Sequence, residues 1–319
     1  MEQYNWSKYV RIGDSWINDY LQTHEKISNN KLIIRCFTLK FTGNYQREEG
    51  LTKFVSKQIM KFVYSDKDII QINDNGEIPY QEALDYFGRV DPVHDGKYGE
   101  LILFLFVESV FKAPLIAHKM KHIYPNDQQK GSDGLFIGQY NGNNALFLGE
   151  SKFNKRVTEG VKEALESLDR FHGNSNSSQT LSHDLKIARD VLSTDLSVED
   201  LDYLYNCLNP EKSEFQNNTM VHPVLVICDE KKISLIERKA NNKLEAEEQM
   251  SSCIRKKVIG YYKYIEKRIG KNFLELEKVP IDFFFIPMKD ITKFRHSLYF
   301  AIHKVPYVEK SGGDEDENI

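Results

Sequence analysis

The segment from residue 131 to residue 152 constrains the fold most strongly, because it predicts two strands and the turn that joins them. Asn141-Gly142 is the strongest short-range signal for a hairpin, since both central positions of a type I′ turn need positive φ. With those two residues as the loop, Asp133 lies opposite Glu150. A four-residue loop would set Lys152 opposite Asp133 instead. Side chains alternate along a strand, so either loop places the two acids and the lysine on one face.

Two carboxylates and a lysine at the end of one hairpin are the parts of a divalent-metal site for cutting phosphodiesters. Asp133 and Glu150 offer hard oxygen ligands for Mg²⁺ or Mn²⁺, and the backbone carbonyl of Ser151 is expected to assist them. The metal would neutralise charge on the phosphate and lower the pKa of an attacking water. Lys152 would orient or deprotonate that water, or stabilise the pentacovalent phosphate.

A helix that precedes the hairpin adds a further acid. Residues 96–114 contain a stretch that is apolar on nearly all sides, so the helix must be buried. Glu100, near its start, could reach the metal through water or hold a second ion. The alternative is that Glu100 only favours the positive end of the helix dipole. Glu108, two turns later, is a second acid on the same core helix.

A Glu-x-Lys or Asp-x-Lys spacing is weak evidence, because it recurs elsewhere in the chain. The recurrences are Glu230/Lys232, Glu237/Lys239, Asp95/Lys97 and Asp184/Lys186. Only Glu150/Lys152 ends an apolar strand, faces a second acid across a turn and precedes a helix. The competing structural interpretation is that Asp133 belongs to a Gly-Ser-Asp-Gly turn and that Lys152 pairs with Glu150 at a surface strand end.

The hydrophobic pattern of the remaining chain predicts an α/β sandwich with a sheet covered on two sides. Strands are expected over residues 32–41, 221–228 with Pro223 at the beginning, and 281–287. Helices are expected over residues 48–64, 80–87, 155–171, 181–208 with a break near 193–197, 246–269 and 290–303. Loops are expected over residues 65–78 and 173–178. Residues 114–124 form a strand or an extended link, in which the structural interpretation of His118, Lys119 and His122 outweighs a ligand role.

The helix over residues 246–269 has a basic face made of Arg255, Lys256, Lys257, Lys263, Lys267 and Arg268. Such a face is usually only solvated, and partner docking is the alternative. The chain as a whole has a net charge of −4, and the four acids among its last six residues account for it. The neutral body lacks the electrostatic footprint of a free-standing DNA-binding protein, which leaves a partner to supply that affinity.

Composition also limits the class of protein. With 40% apolar residues in 319, the chain can bury a large core. The four cysteines are far apart in sequence, so neither a zinc site nor a disulfide framework is implied. A signal peptide and a segment able to span a bilayer are both missing from the pattern, and a soluble, cytoplasmic protein is expected.

The motif residues resemble the PD-(D/E)xK nuclease superfamily. The resemblance consists of Asp133, then Glu150-Ser151-Lys152 on the next strand, after a helix that bears Glu100; the proline of the first motif is often missing, as here. More narrowly, GELILFLFVESVFKAPLIAHKM followed by GSDG and GESK resembles the HamA/AbpA-like family, which includes the nuclease subunit of the Hachiman anti-phage system. This narrower resemblance spans roughly residues 30–300.

The resemblance implies a metal-dependent DNA endonuclease that a HamB-like superfamily 2 helicase holds and then releases when it senses aberrant DNA. It also implies a PD-(D/E)xK core, a mixed sheet flanked by helices, over residues 91–305. An N-terminal α/β extension would occupy residues 1–90, and an acidic disordered tail residues 306–319.

Two other classes of function remain open. The first is a catalytically inactive scaffold or DNA-clamp subunit of a helicase complex, against which the intact set of two acids and a lysine argues. The second is a site-specific restriction-type endonuclease, which would be expected to carry a separate reader domain. No such domain is apparent in the sequence pattern.

Overall fold

The computed structural model describes residues 4–29, 31–116, 132–172, 185 and 195–308. Its strands are β1 (Leu21–Thr23), β2 (Ile27–Asn29), β3 (Leu32–Leu39), β4 (Phe41–Thr42), β5 (Tyr45–Gln46), β6 (Gly134–Tyr140), β7 (Asn143–Asn154), β8 (Thr219–Asp229) and β9 (Ile281–Met288). Seven of them form one mixed sheet in the order β1-β3-β9-β8-β7-β6, with β2 beside β1 on the same edge of β3. Strands β4 and β5 pair separately as a small hairpin.

The four central strands, β3, β9, β8 and β7, run parallel. At one edge β6 is antiparallel to β7, and at the other edge β1 and β2 are antiparallel to β3. Parallel strands are stable when both of their faces are covered. This arrangement explains why the sequences of β8 and β9 are almost continuously apolar.

The described helices, numbered in chain order, lie around this sheet. They are α1 (Ser15–Tyr20), α2 (Glu49–Ser56), α3 (Ile59–Val63), α4 (Asp66–Asp74), α5 (Pro79–Phe87), α6 (Lys97–Phe111), α7 (Val157–His172), α8 (Val198–Cys207), α9 (Ser213–Gln216), α10 (Lys232–Lys239), α11 (Lys243–Asn272) and α12 (Ile291–His303). Short 3₁₀ helices cover Trp6–Tyr9 and Leu274–Lys278. Among the described helices, none combines the length and apolar character needed to cross a membrane.

Alternate residues of β9 contact different helix layers. Phe284 and Ile286 pack in the cluster that includes α2, α3, α5, α6 and α12. Phe283 and Phe285 pack with α7, α10 and α11 on the opposite side. The predicted mixed α/β sheet flanked by helices is therefore confirmed. Strands β1 to β3, from the predicted N-terminal extension, belong to this same sheet; the domain division itself stays a prediction.

The predicted loop over residues 65–78 is wrong, because α4 occupies Asp66–Asp74. A capping box begins this helix: the Ser65 hydroxyl accepts from the Asp68 N–H at 3.1 Å, and the Asp68 carboxylate accepts from the Ser65 N–H at 3.1 Å. Ile69 and Ile72 then pack against the main core. The polar composition of this segment suggested a loop, although a capping box, which is a local signal for the beginning of a helix, was present in the sequence.

The predicted helix over residues 48–64 is interrupted. It consists of α2 and α3, separated at Lys57 and Gln58. Here the backbone N–H groups bond three residues back, to the carbonyls of Phe54 and Val55, which tightens the turn. The change of direction lets the apolar residues of both short helices reach the same core.

The expectation that Pro223 begins its strand is also wrong. Pro223 is the fifth residue of β8, a strand with neighbours on both sides. Proline lacks an N–H and is normally confined to strand edges and starts. Opposite Pro223, the pairing between β7 and β8 is interrupted at Leu148 and Gly149. At this point the ring Nδ1 of His222 contacts the Leu148 carbonyl at 3.1 Å.

The other predicted strands and helices agree with the structure to within a few residues at their ends. Residue Leu115 of the predicted link bridges to Phe136, and the Ile116 N–H donates to the Leu135 carbonyl. His118, Lys119 and His122 lie outside the described residues, as do the predicted loop 173–178, much of the helical stretch 181–208 and most of the acidic tail.

Candidate active site

A two-residue turn closes the hairpin formed by β6 and β7. Asn141 has φ of 49° and Gly142 has φ of 81°, as a type I′ turn requires. The register runs from Tyr140 opposite Asn143 to Gly134 opposite Gly149. The two-residue loop is thus the correct alternative, and the four-residue loop is not formed.

Glu150 and Lys152 meet on β7. The Lys152 Nζ donates to Glu150 Oε1 at 2.5 Å, and the two side chains are 24% and 3% exposed, respectively. Glu150 does not lie at a solvated strand end, because its side chain is almost completely buried and its backbone is paired with Val224 of β8. Burial lowers the pKa of Lys152, but attraction to Glu150 outweighs that effect and the net pKa is raised. Lys152 is therefore a cation at neutral pH.

Asp133 is held at the beginning of β6 by the strand opposite. Its N–H donates to the Gly149 carbonyl at 2.9 Å, and its Oδ2 accepts from both the backbone N–H and the hydroxyl of Ser151, each at 2.7 Å. Burial, together with the negative charges of Glu150 and Glu100, raises the pKa of Asp133 to about 7. The hydrogen bonds from Ser151 act in the opposite direction. Asp133 and Glu150 are therefore close enough to repel each other.

Glu100 enters this region from the first turn of α6. Its Oε2 accepts from the Tyr86 hydroxyl at 3.3 Å. Helix α6 packs closely against the hairpin because two of the contact positions are glycines, which have no side chain. A Cβ on Gly99 would come within 2.7 Å of Ser151 Oγ, and one on Gly149 would come within 2.7 Å of Leu103 Cδ2.

The acids of this site fit the ligand preference of a divalent cation. Mg²⁺ usually takes one or two carboxylates and keeps several waters. Asp133 and Glu150 match that donor set, and the repulsion between them is the kind that a bound cation relieves. Within the described part of the chain, no three His, Cys, Asp or Glu side chains are grouped to hold a metal ion. A cation held by Asp133 and Glu150 would therefore take its remaining ligands from the Ser151 carbonyl, water or phosphate.

Three residues near this site were missed by sequence reasoning. Tyr86 bonds to Glu100, and the same acid, together with burial, raises the Tyr86 pKa well above its usual value. The Arg295 guanidinium lies 4.4 Å from the centroid of the ring of Phe153, the residue that follows Lys152 in β7. Asp95 is buried near both Glu100 and Arg295. No local sequence signal could have found Tyr86 or Arg295, because they come from α5 and α12.

The repeated Glu-x-Lys spacings have other partners. Glu230 forms its ion pair with Lys257 of α11, and Glu237 forms one with Lys289 at 2.5 Å. In neither case does the lysine two residues later pair with the acid through its ammonium group. Asp95 accepts from the backbone N–H of Lys97 at 3.0 Å and so caps α6.

The fold and the site together define an α/β protein with a mixed sheet that holds two acids and a lysine at the end of one hairpin. The family model described as HamA matches residues 14–302, and the chain belongs to the HamA family. Membership of this family supports a role in anti-phage defence of the Hachiman type. No curated protein matches the chain.

Proposed function

We propose that this protein is a metal-dependent DNA endonuclease of the PD-(D/E)xK type that acts in anti-phage defence. The observation that carries the proposal is the contact between Glu150 and Lys152 on β7, with Asp133 close to Glu150 at the beginning of the neighbouring strand. Spacing alone did not separate this pair from the other Glu-x-Lys sequences. The direct contact between Glu150 and Lys152 and the adjacent Asp133 do separate it, because Glu230 and Glu237 pair with distant lysines.

Asp133 and Glu150 would hold Mg²⁺ or Mn²⁺, helped by Ser151, with Glu100 acting through water or on a second ion. When bound, such a cation supplies charge neutralisation at the phosphate and a lower pKa for a bound water. Lys152 has a raised pKa, so a proton acceptor role is disfavoured. Its positive charge suits the orientation of water and the stabilisation of the charged phosphate in the transition state.

The partner side of the proposal rests on family resemblance. A HamB-like superfamily 2 helicase would hold the nuclease and control its access to DNA. A net charge of −4 on the chain is consistent with such control, because a nuclease with weak general affinity for DNA depends on a partner for targeting.

A second candidate is a catalytically inactive scaffold or DNA-clamp subunit of the helicase complex. One observation favours it: the acids are already satisfied within the protein. Glu150 is paired with Lys152, and Asp133 is bonded to Ser151. A structural hairpin would show the same contacts.

Plasmid cleavage separates these candidates. The purified protein, alone and with its helicase partner, would be incubated with Mg²⁺ and compared with Glu150→Gln and Lys152→Ala. Glu237→Gln is the matched control, because Glu237 is also buried and also has a lysine at 2.5 Å. We expect the two hairpin variants to lose on the order of 10² or more in cleavage rate, and the control to cut like the wild type.

EDTA should abolish cutting by the wild type. The endonuclease proposal fails if neither preparation cuts intact, damaged or ended DNA. It also fails if Glu150→Gln and Lys152→Ala cut as fast as Glu237→Gln. Either result would assign the protein to the scaffold class.

A further inference from the structure

Helix α11 carries a concentration of positive charge that the candidate active site does not use. Between Arg255 and Lys271 the sequence has seven basic residues and one acid, Glu266, in a chain whose net charge is −4. The helix is 30 residues long, and its buried side is apolar. The charge is therefore confined to its outer surface.

Some of these charges have structural partners. Lys257 pairs with the buried Glu230. Arg268 Nε donates to the Tyr264 hydroxyl at 3.1 Å, and Glu266 accepts from the Tyr262 hydroxyl at 2.6 Å. These contacts involve two of the seven basic residues, Lys257 and Arg268.

The remaining cations form what we call the basic face of α11, which consists of Arg255, Lys256, Lys263, Lys267 and Lys271. All five residues are exposed. In the described residues, no acidic side chain forms an ion pair with any of them. Cations four residues apart on a helix destabilise it unless acids three or four residues away support them with ion pairs. That support is missing here.

The geometry of this face suits an extended anion. Arg255, Lys263 and Lys267 lie in one inclined row on the helix, at steps of four or eight residues, which spans about 18 Å and turns by roughly 120° around the helix axis. Ile259 occupies the position of this row between Arg255 and Lys263, and it is 47% exposed. A Cβ on the adjacent Gly260 would meet nothing within 4 Å. The row is thus open to solvent along its length. A small anion would engage one or two of these groups, whereas a polymer of regularly spaced charges engages all of them.

Two contacts anchor α11 beside the strand that carries the candidate active site. The Tyr264 hydroxyl donates to the Thr158 carbonyl at 3.2 Å, in the first turn of the helix that follows β7. Lys257 pairs with Glu230, which directly follows β8, the neighbour of β7. Both contacts lie just beyond the carboxyl ends of these strands, near which Glu150 and Lys152 lie.

We propose that the basic face of α11 binds the phosphate backbone of duplex DNA and holds it, without reading its sequence, beside the hairpin site. Duplex DNA carries one charge per about 1.7 Å of axis when both strands are counted, so about 18 Å of duplex holds roughly ten phosphates, of which the row faces those on its own side. The identification of the polyanion as substrate DNA rests on the proposed function; the existence of a polyanion-binding face does not.

The test measures binding and not cutting. The full chain with Glu150→Gln is titrated into a short fluorescent duplex in EDTA at several salt concentrations, and anisotropy is recorded. In this background, Arg255→Gln, Lys263→Gln and Lys267→Gln are combined. The matched control combines Lys53→Gln, Lys57→Gln and Lys212→Gln, which remove three exposed cations from other elements. Thermal melting of both triple variants verifies that they are folded.

We expect the α11 triple variant to bind at least about tenfold more weakly, and the slope of log affinity against log salt to fall by about 3, because roughly one unit is lost per phosphate contact. The control should retain both values. Equal weakening in the two triple variants would overturn the inference, as would a parent protein that does not bind the duplex.

A loss of binding to vesicles of anionic lipid or to the helicase partner, with DNA binding unchanged, would also overturn it and assign the face to another class of ligand. Because these measurements use a variant that should not cut, in the absence of metal, they are independent of nuclease activity. A wild-type protein that binds DNA through α11 but never cuts would refute the proposed function and leave this inference standing.

Discussion

At the residue scale, the buried acids differ in the groups that compensate them. Glu150 has the ammonium group of Lys152, and Asp133 has the N–H and hydroxyl of Ser151. Glu108, on α6, has backbone donors among the described residues: its Oε2 accepts from the Arg11 and Ile12 N–H groups at 2.9 Å, and its Oε1 from the N–H of Leu115 at 3.3 Å. Through these hydrogen bonds Glu108 connects the N-terminal segment to helix α6 of the main core.

Replacing Glu108 with glutamine should lower the free energy of unfolding by about 1 to 3 kcal/mol, because an amide has one acceptor oxygen for donors that now serve both carboxylate oxygens. Denaturation by urea measures this loss. Glu248→Gln is the control, since Glu248 is an exposed acid. A loss no greater than that of the control would contradict a tethering role for Glu108.

The same variant should change how stability depends on pH. Burial raises the pKa of Glu108 from 4.5 to about 7, so between those values the folded state keeps a proton that the unfolded state loses. The contribution of Glu108 is therefore full below the lower value and declines as the pH rises to the higher one. Stability of the wild type should fall across this range relative to Glu108→Gln. Parallel pH curves for the two proteins would show that Glu108 does not titrate there.

At the element scale, the position of Glu100 depends on how closely α6 approaches β7. Gly99 and Gly149 make that approach possible, since a Cβ on either would come within 2.7 Å of an atom across the contact. Native packing leaves little room for added atoms. The two glycines therefore determine the geometry of the site without contributing a chemical group to it.

Gly99→Ala should destabilise the protein by about 1 to 3 kcal/mol, because the new methyl group overlaps Ser151. Gly260→Ala is a matched helical substitution on α11, where a Cβ meets nothing within 4 Å, and it should stabilise by up to about 1 kcal/mol. Comparison of their melting temperatures tests the argument. Shifts of the same sign would mean that helix propensity, and not contact with β7, dominates at Gly99.

At the scale of the whole molecule, the sheet unites distant parts of the chain. β3, from the first forty residues, runs parallel to β9, which ends at Met288. Between them the Arg35 guanidinium binds Asp282 with two parallel hydrogen bonds of 2.9 Å, and Asp282 is fully buried. The N-terminal strands and the rest of the sheet should therefore unfold together.

Arg35→Ala should cost about 3 to 5 kcal/mol, because it leaves Asp282 buried without a counter-charge. Replacing both residues with leucine should recover most of that loss. Guanidinium denaturation should show one transition in the wild type, followed by either fluorescence or circular dichroism. Two separate transitions would contradict the shared sheet as a single cooperative unit.

Much of the fold could be predicted because its signals are local. The turn at Asn141-Gly142 needs positive φ, and the alternation of the flanking strands then determines which residues face each other. A stretch that is apolar on nearly all sides predicted α6, and the local hydrophobic pattern predicted α7, α11 and α12, for the same reason. The helix over Asp66–Asp74 was missed although its capping box is also local, since its polar composition resembles that of a loop.

The sequence by itself determined the hairpin and the shared strand face of Glu150 and Lys152, because these follow from residues close together in the chain, whereas the choice between its two possible registers came from the structure. Only the tertiary structure decided that Ser151 holds Asp133, that Tyr86 and Arg295 lie near the site, and that the other Glu-x-Lys acids have distant partners. These features depend on packing between elements that are far apart in sequence. No periodicity or spacing along the chain encodes such contacts, since the core that creates them forms only when the whole sheet is assembled.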